Sequence, residues 1–231
     1  MVSAVRAGRG RLMSHRGETA VKAMFRLVTA AITIAGLWLA YLYGPHNAIP
    51  DPLTRNVNFF SFFTIQTNIL VALAMLLPAV APGSWLARFF DSPAVRIAIA
   101  NYIIIVGVVY HALLAHLWDP EGLNLLSLII LHYGTPVAFV ADWLLFNAKG
   151  KTRWFATLTA LAYPAAYAVW TLARGAVTGW YPYPFIDVVE QGYAVVLANM
   201  AGLALAFLAL GLLLNAIDKW LAVQARKSAN A

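Results

Sequence analysis

The chain contains no cysteine, which excludes a disulfide framework, thiolate metal sites and a cysteine nucleophile. Charge is scarce as well. Charged residues make up 11% of its 231 positions, against about 25% in ordinary soluble domains. Repeats of fixed period, low-complexity tracts and internal linkers are missing too, so the sequence reads as one compact unit and not an array.

Apolar residues, at 62% of the chain, are the abundant component. A soluble globule of this length could not hide so much apolar surface in its interior. A bilayer removes the difficulty, because lipid solvates the outward faces. The net charge of +7 does not indicate nucleic acid, since the basic residues sit in short caps between apolar runs.

A helix needs about 20 apolar residues to span the hydrocarbon. Six runs qualify: Met24 to Tyr43, Phe59 to Ala81, Val95 to Leu117, Leu123 to Phe146, Trp154 to Arg174 and Tyr193 to Asn215. The first is longer than a signal-peptide core and no small-x-small cleavage site clearly follows it, so it reads as a retained anchor. The expected fold is an all-α, polytopic bundle of six transmembrane helices over 24–217. A basic, mobile tail over 1–23 precedes it and a short tail over 218–231 follows.

Counting Lys and Arg by loop gives fourteen on one side and two, Arg55 and Arg174, on the other. Positive charge collects on the cytoplasmic side, which predicts that both termini are cytoplasmic and that the protein is a multi-pass component of the cell membrane. The longest outer loop holds Trp180, Tyr181, Pro182, Tyr183, Pro184 and Phe185. Its composition favours an interfacial aromatic belt, with a proline-stiffened lid as the alternative. Ala194, Ala198, Gly202 and Ala206 form a small-residue stripe expected to admit a neighbouring helix.

Polar groups at depth are costly, so they mark candidate sites. Read as one helix, the start of the second span puts Ser61, Thr64, Thr67 and Asn68 on one face, with Gln66 pointing away. The third and fourth spans contribute His111 and His132, and a short turn near Asp119 and Pro120 makes them antiparallel neighbours. Counting helix rise, Thr64, His111 and His132 lie roughly 8, 9 and 13 Å below the outer boundary. Asp142, at the inner boundary, reads as a charge anchor close to Lys149 and Lys151.

A threonine hydroxyl becomes a useful nucleophile when a base takes its proton, and neutral imidazole suits that task. Attack on an ester needs donors for the oxyanion, a role the Asn68 amide could fill. These groups could serve an ester hydrolase with Thr64 as nucleophile and His132 as base, and the expectation of a lipid ester leans on family resemblance. Such an enzyme needs no cofactor, and its partners are the bilayer and a fatty-acyl ester, with no nucleic acid. Ser61, Thr67, Asn68, His111, Tyr183 and Phe185 are the candidate oxyanion and cavity-lining residues. Two other classes stay open: a haem or metal protein ligated through His111 and His132, and a small-solute transporter using the same polar groups.

From Phe59 to Asn215 the chain resembles the bacterial "Pr-six-Pr" membrane proteins, relatives of the androgen-induced-gene family of membrane threonine hydrolases. The resemblance rests on Phe63-Thr64 at the second span, His132 in the fourth, the spacing from His132 to Asp142, and Tyr183-Pro184-Phe185 in the outer loop. It implies a six-span fold, hydrolysis of fatty acid esters of hydroxy fatty acids, and a threonine and a histidine at Thr64 and His132. The interval between those two residues is shorter here, and the proline following the histidine, Pro136, is shifted.

Overall fold

A computed structural model of the chain describes residues 2–117 and 119–230, with side chains described at Gly17 and, within those ranges, from Thr19 onward. Ten α-helices follow one another among the described residues: α1 (Val2–Tyr43), α2 (Pro52–Phe60), α3 (Phe63–Val80), α4 (Trp85–Phe90), α5 (Pro93–Val109), α6 (Gly122–Ile129), α7 (Thr135–Phe146), α8 (Phe155–Ala160), α9 (Ala162–Thr178) and α10 (Val188–Ala229). Six segments are long and apolar enough to cross a membrane: Thr19–Ala48, Phe63–Val80, Pro93–Leu114, Gly122–Phe146, Phe155–Thr178 and Val188–Ala229. The protein is therefore an all-helical, polytopic membrane bundle. The arginines of the expected basic tail, Arg6 to Arg16, lie outside the residues whose side chains are described.

The third crossing is the hub. It is 56% buried against 11% for the fifth, which identifies α5 as the core element and α8–α9 as a lipid-facing wall. α5 packs on α3, α7, α8 and α10, while α1 packs on α3, α6 and α7. The core is aliphatic and aromatic, with Val71, Met75, Ile103, Phe139 and Trp143 sealed within it.

The spans do not all run as uninterrupted helices. The second begins at Phe63 and not at Phe59, because Ser61 and Phe62 separate α2 from α3. π-helical turns at Tyr110–Leu114 and Ile130–Gly134 widen the third and fourth. The last is kinked at Gly192, whose φ of 74° belongs to the left-handed region that glycine tolerates.

The end of the bundle where Arg26, Arg96 and Asp142 meet is held by ions. Asp142 is 0% exposed and lies between Arg26 at 1% and Arg96 at 0%. Arg26 donates from Nε at 2.7 Å and Arg96 from Nη1 at 2.7 Å to the two carboxylate oxygens. Arg96 also donates to the Ala74 carbonyl at 2.7 Å, and both guanidinium groups reach Asp91. One carboxylate thus joins α1, α5 and α7, and Arg96 adds α3. The expected partners of Asp142 are corrected accordingly. Lys149 turns instead to the Trp143 and Asn147 carbonyls, because the two arginines from neighbouring helices already occupy the carboxylate.

The small-residue stripe on α10 is a second correction. Ala194, Ala198, Gly202 and Ala206 are exposed, and a Cβ built at Gly202 would meet nothing within 4 Å. The face of α10 that packs inward carries Val196, Phe207, Gly211 and Leu214 instead.

Removing one member of a buried ion cluster leaves the others uncompensated, at a cost of about 3–5 kcal/mol. Asp142→Asn is expected to lower the thermal unfolding midpoint of the detergent-purified chain by a margin of that size, and Glu121→Gln, on the exposed outer turn, to leave it in place. Equal midpoints for the two variants would show the cluster to be dispensable.

Candidate active site

Thr64 owes its position to the break before it. Ser61 folds its hydroxyl back onto the Val57 carbonyl at 2.6 Å, a local bond that competes with helix continuation, and Phe62 is extended. Side chains satisfy the carbonyls released: Gln66 donates to Phe60 O at 2.9 Å and Tyr167 to Ser61 O at 3.0 Å. The helix restarts at Phe63, so Thr64 sits in the first turn of a membrane-embedded helix. Backbone N–H groups there lack intrahelical partners, and the helix end is electropositive.

His132 lies in the π-helical turn of the fourth crossing. Pro136 has no N–H to offer the His132 carbonyl four residues earlier, and the turn closes instead by a wider bond from Thr135 N–H to Ile130 O. Two glycines allow neighbours to approach the widened turn. A Cβ at Gly107 of α5 would come within 2.8 Å of the His132 carbonyl oxygen, and one at Gly36 of α1 within 2.5 Å of Ile130. The imidazole is buried and stacked on Tyr110, with ring centroids 3.8 Å apart. Its Nδ1 lies 3.0 Å from the Leu128 carbonyl oxygen. A carbonyl only accepts, so Nδ1 carries the proton, and the lone pair of neutral imidazole is left on Nε2.

That lone pair faces the Thr64 hydroxyl at 3.5 Å, a separation at the outer limit of a hydrogen bond and one that substrate binding closes in many active sites. Tyr183, from the loop between α9 and α10, approaches from the other side. Thr64 N–H donates to its phenol oxygen at 3.2 Å, and the two hydroxyl oxygens are 3.4 Å apart. Burial pushes the Tyr183 phenol above its ordinary range, with the bonds to Thr64 opposing, so it is a protonated donor at neutral pH. The loop is anchored where it meets the bundle. Tyr181 fills the space left by Gly175, Ile186 is buried, and Asn199 donates to Phe185 O at 2.8 Å. For Tyr183, the belt reading therefore gives way to the lid.

Two cavities meet at Thr64. The first, about 350 Å³, lies among α3, α5, α9 and α10 and is walled by Phe63, Ile105, Leu161, Leu203 and Phe207, with Phe185 in its lining. The second, about 610 Å³, opens among the ends of α1, α3 and α6 and includes His46, Asp119, Asn124, Ser127 and His132. Thr64, Tyr110, Leu114 and Tyr183 line both.

Four of the expected site residues stand apart from these cavities. Ser61 caps α2 and faces a separate groove with Gln66 and Trp170, because the helix break takes it off the Thr64 face. Thr67 is buried against the Tyr163 hydroxyl at 3.3 Å. Asn68 gives its amide hydrogens to the Thr64 and Leu131 carbonyls, at 2.9 and 3.3 Å, and so has none for an oxyanion. It ties α3 to the residue before His132. His111 points outward, exposed, and its Nδ1 lies 3.1 Å from the Tyr133 hydroxyl. It does not share a cavity with His132, and no group of three or more metal-binding side chains occurs among the described residues.

Tyr110, His46 and Gly107 were missed in the sequence. A histidine at the end of a span (His46) and a glycine within an apolar helix (Gly107) were the available signals, since each is costly without a reason. Comparison with protein-family models, with curated proteins and with solved structures gives no match.

The close approach at Gly107 makes a prediction. Gly107→Ala forces its methyl group against the His132 carbonyl and is expected to cost about 1–3 kcal/mol of stability, as overpacking does. Gly202→Ala, in open space, is expected to be neutral or stabilising by up to about 1 kcal/mol. Unfolding midpoints of the two purified variants provide the measurement; no loss in Gly107→Ala would show that the turn yields freely.

Proposed function

We propose that this protein is a membrane-embedded lipid-ester hydrolase acting through Thr64 and His132. The observation that carries the reading is the 3.5 Å approach of the Thr64 hydroxyl to the unprotonated nitrogen of a buried imidazole, at the junction of two cavities. The resemblance to the androgen-induced-gene hydrolases points to the same two residues and implies esters of hydroxy fatty acids.

His132 Nε2 takes the proton from Thr64 Oγ1 as that oxygen attacks the ester carbonyl. The charge that develops on the carbonyl oxygen is met by the Tyr183 O–H and the electropositive end of α3, replacing the donor expected from Asn68. The carbon–oxygen bond to the alcohol breaks, and His132 returns its proton to the departing oxygen. Water then attacks the acyl-Thr64 ester, again through His132, and restores the threonine. The Leu128 carbonyl holds the imidazole in the tautomer both steps require.

The distribution of Lys and Arg supports cytoplasmic termini, with the site in the outer half of the bilayer, and the resemblance implies a bacterial inner membrane setting.

Thr64→Ala and His132→Ala are each expected to lower turnover of a long-chain ester by about 10²–10⁴-fold without loss of folded protein. Labelling by a lipid-tailed fluorophosphonate should vanish in Thr64→Ala. Tyr183→Phe, which removes one oxyanion donor, should cost about 10²-fold in kcat. Full activity in Thr64→Ala would end this reading. Orientation has a separate check: a cysteine placed at Gly179 should react with an impermeant maleimide from outside intact cells, and one placed at Lys227 only after lysis.

A further inference from the structure

The two cavities differ in what they offer an ester. His132 lines the second and not the first. The proton it takes from Thr64 must reach the departing alcohol oxygen, so the alcohol arm lies on the side His132 faces, in the second cavity. The acyl arm is then left with the first, whose described lining carries no charged side chain.

The second cavity has a distinct chemistry. His46 is 7% exposed, and its Nε2 is buried without a hydrogen-bond partner. An unpaired polar atom at that depth costs free energy until a ligand meets it. Asn124 is half-buried in the same wall, and the Ser127 hydroxyl, which donates to the Asn124 carbonyl at 2.7 Å, can still accept. Asp119 lies at the rim, and no Lys or Arg stands among the described lining residues. A carboxylate on the alcohol arm would meet a like charge and no fixed counter-charge. Neutral hydroxyl groups would meet a ring nitrogen, an amide and a hydroxyl.

Resting on the hydrolase reading, but departing from the hydroxy fatty acid esters that the resemblance implies, we infer that the second cavity is an alcohol subsite for an uncharged, hydroxyl-bearing alcohol, and that the substrate is a long-chain acyl ester of a small polyol such as glycerol. His46 and Asn124 determine that specificity. The reaction consumes one water and yields a fatty acid and the polyol, with Thr64 and His132 unchanged at the end.

The test uses the full chain purified in detergent and three oleoyl esters: of glycerol, of ethanol and of a hydroxystearic acid bearing its free carboxylate. The expected order of kcat/KM places the glycerol ester about tenfold above the ethyl ester, the worth of about one hydrogen bond, with the carboxylate-bearing ester lowest. In His46→Phe the ratio of glycerol to ethyl ester should fall to near unity, and Asn124→Leu should move it in the same direction. Equal turnover of the glycerol and ethyl esters, or a preference for the carboxylate-bearing ester, overturns the polyol assignment and leaves the hydrolase standing. If the native chain turns over none of the three and shows no Thr64-dependent labelling, both readings fall together.

Discussion

The bundle is organised by one carboxylate. Asp142 has no access to solvent and is held by guanidinium groups from two other helices, while one of these also donates to a carbonyl of α3. Charges taken out of water are tolerated when each is met by geometry this close, and the penalty for losing a partner makes the arrangement all-or-none. Van der Waals packing between apolar helices in lipid is permissive about register. An ion cluster is not, because a shift of one residue on any of the helices would strand a charge. Asp142 therefore sets the relative heights of α1, α5 and α7.

That height setting reaches the site. Gly36 and Gly107 must lie level with the turn at Ile130–Gly134 for α1 and α5 to approach it as closely as they do. Asp142 is ten residues from His132 along the same crossing, too far to touch the imidazole. Its influence is on the register of the helices that surround the histidine. Dense packing at the inner end also leaves the opposite end, where helices break and loops fold inward, free to enclose cavities.

The sequence made the spans legible because lipid imposes a length and a composition that few residues can evade. The pairing of Thr64 with His132 was legible as two polar groups at similar depth on different helices. The break at Ser61 was not, since Phe59 to Asn68 has a helix-compatible pattern and the groups that satisfy the broken backbone, Gln66 and Tyr167, come partly from another crossing. Ser61 was grouped with Thr64 by assuming one unbroken helix, whereas Thr67 and Asn68 share α3 with Thr64 but are taken up by Tyr163 and by the Thr64 and Leu131 carbonyls, partners that only tertiary structure reveals. Asp142 was legible as a charge anchor near Lys149 and Lys151, but its direct partners are 116 and 46 residues away. Long-range charge pairing leaves no periodic trace. The two π-helical turns are equally silent, although Pro136 hinted at one of them.

A hydrolase in a bilayer faces a problem that soluble esterases do not, which is how to deliver water to an acylated threonine surrounded by hydrocarbon. In the proposed arrangement the first cavity offers water few polar partners beyond the hydroxyl groups near Thr64. The second offers His46, Asn124 and Ser127 as well, and Asp119 and Pro120 of the outer turn stand in its lining. Water and alcohol would thus share one route, on the same face of the carbonyl as His132 Nε2. They cannot occupy it together, so the alcohol must depart before water attacks, and the base that protonated the first is then correctly placed to deprotonate the second. The acyl chain, held on the far side of Thr64, need not move between the two steps. On this view the meeting of the two cavities at Thr64, with His132 lining only the second, is what lets one histidine serve both halves of the reaction.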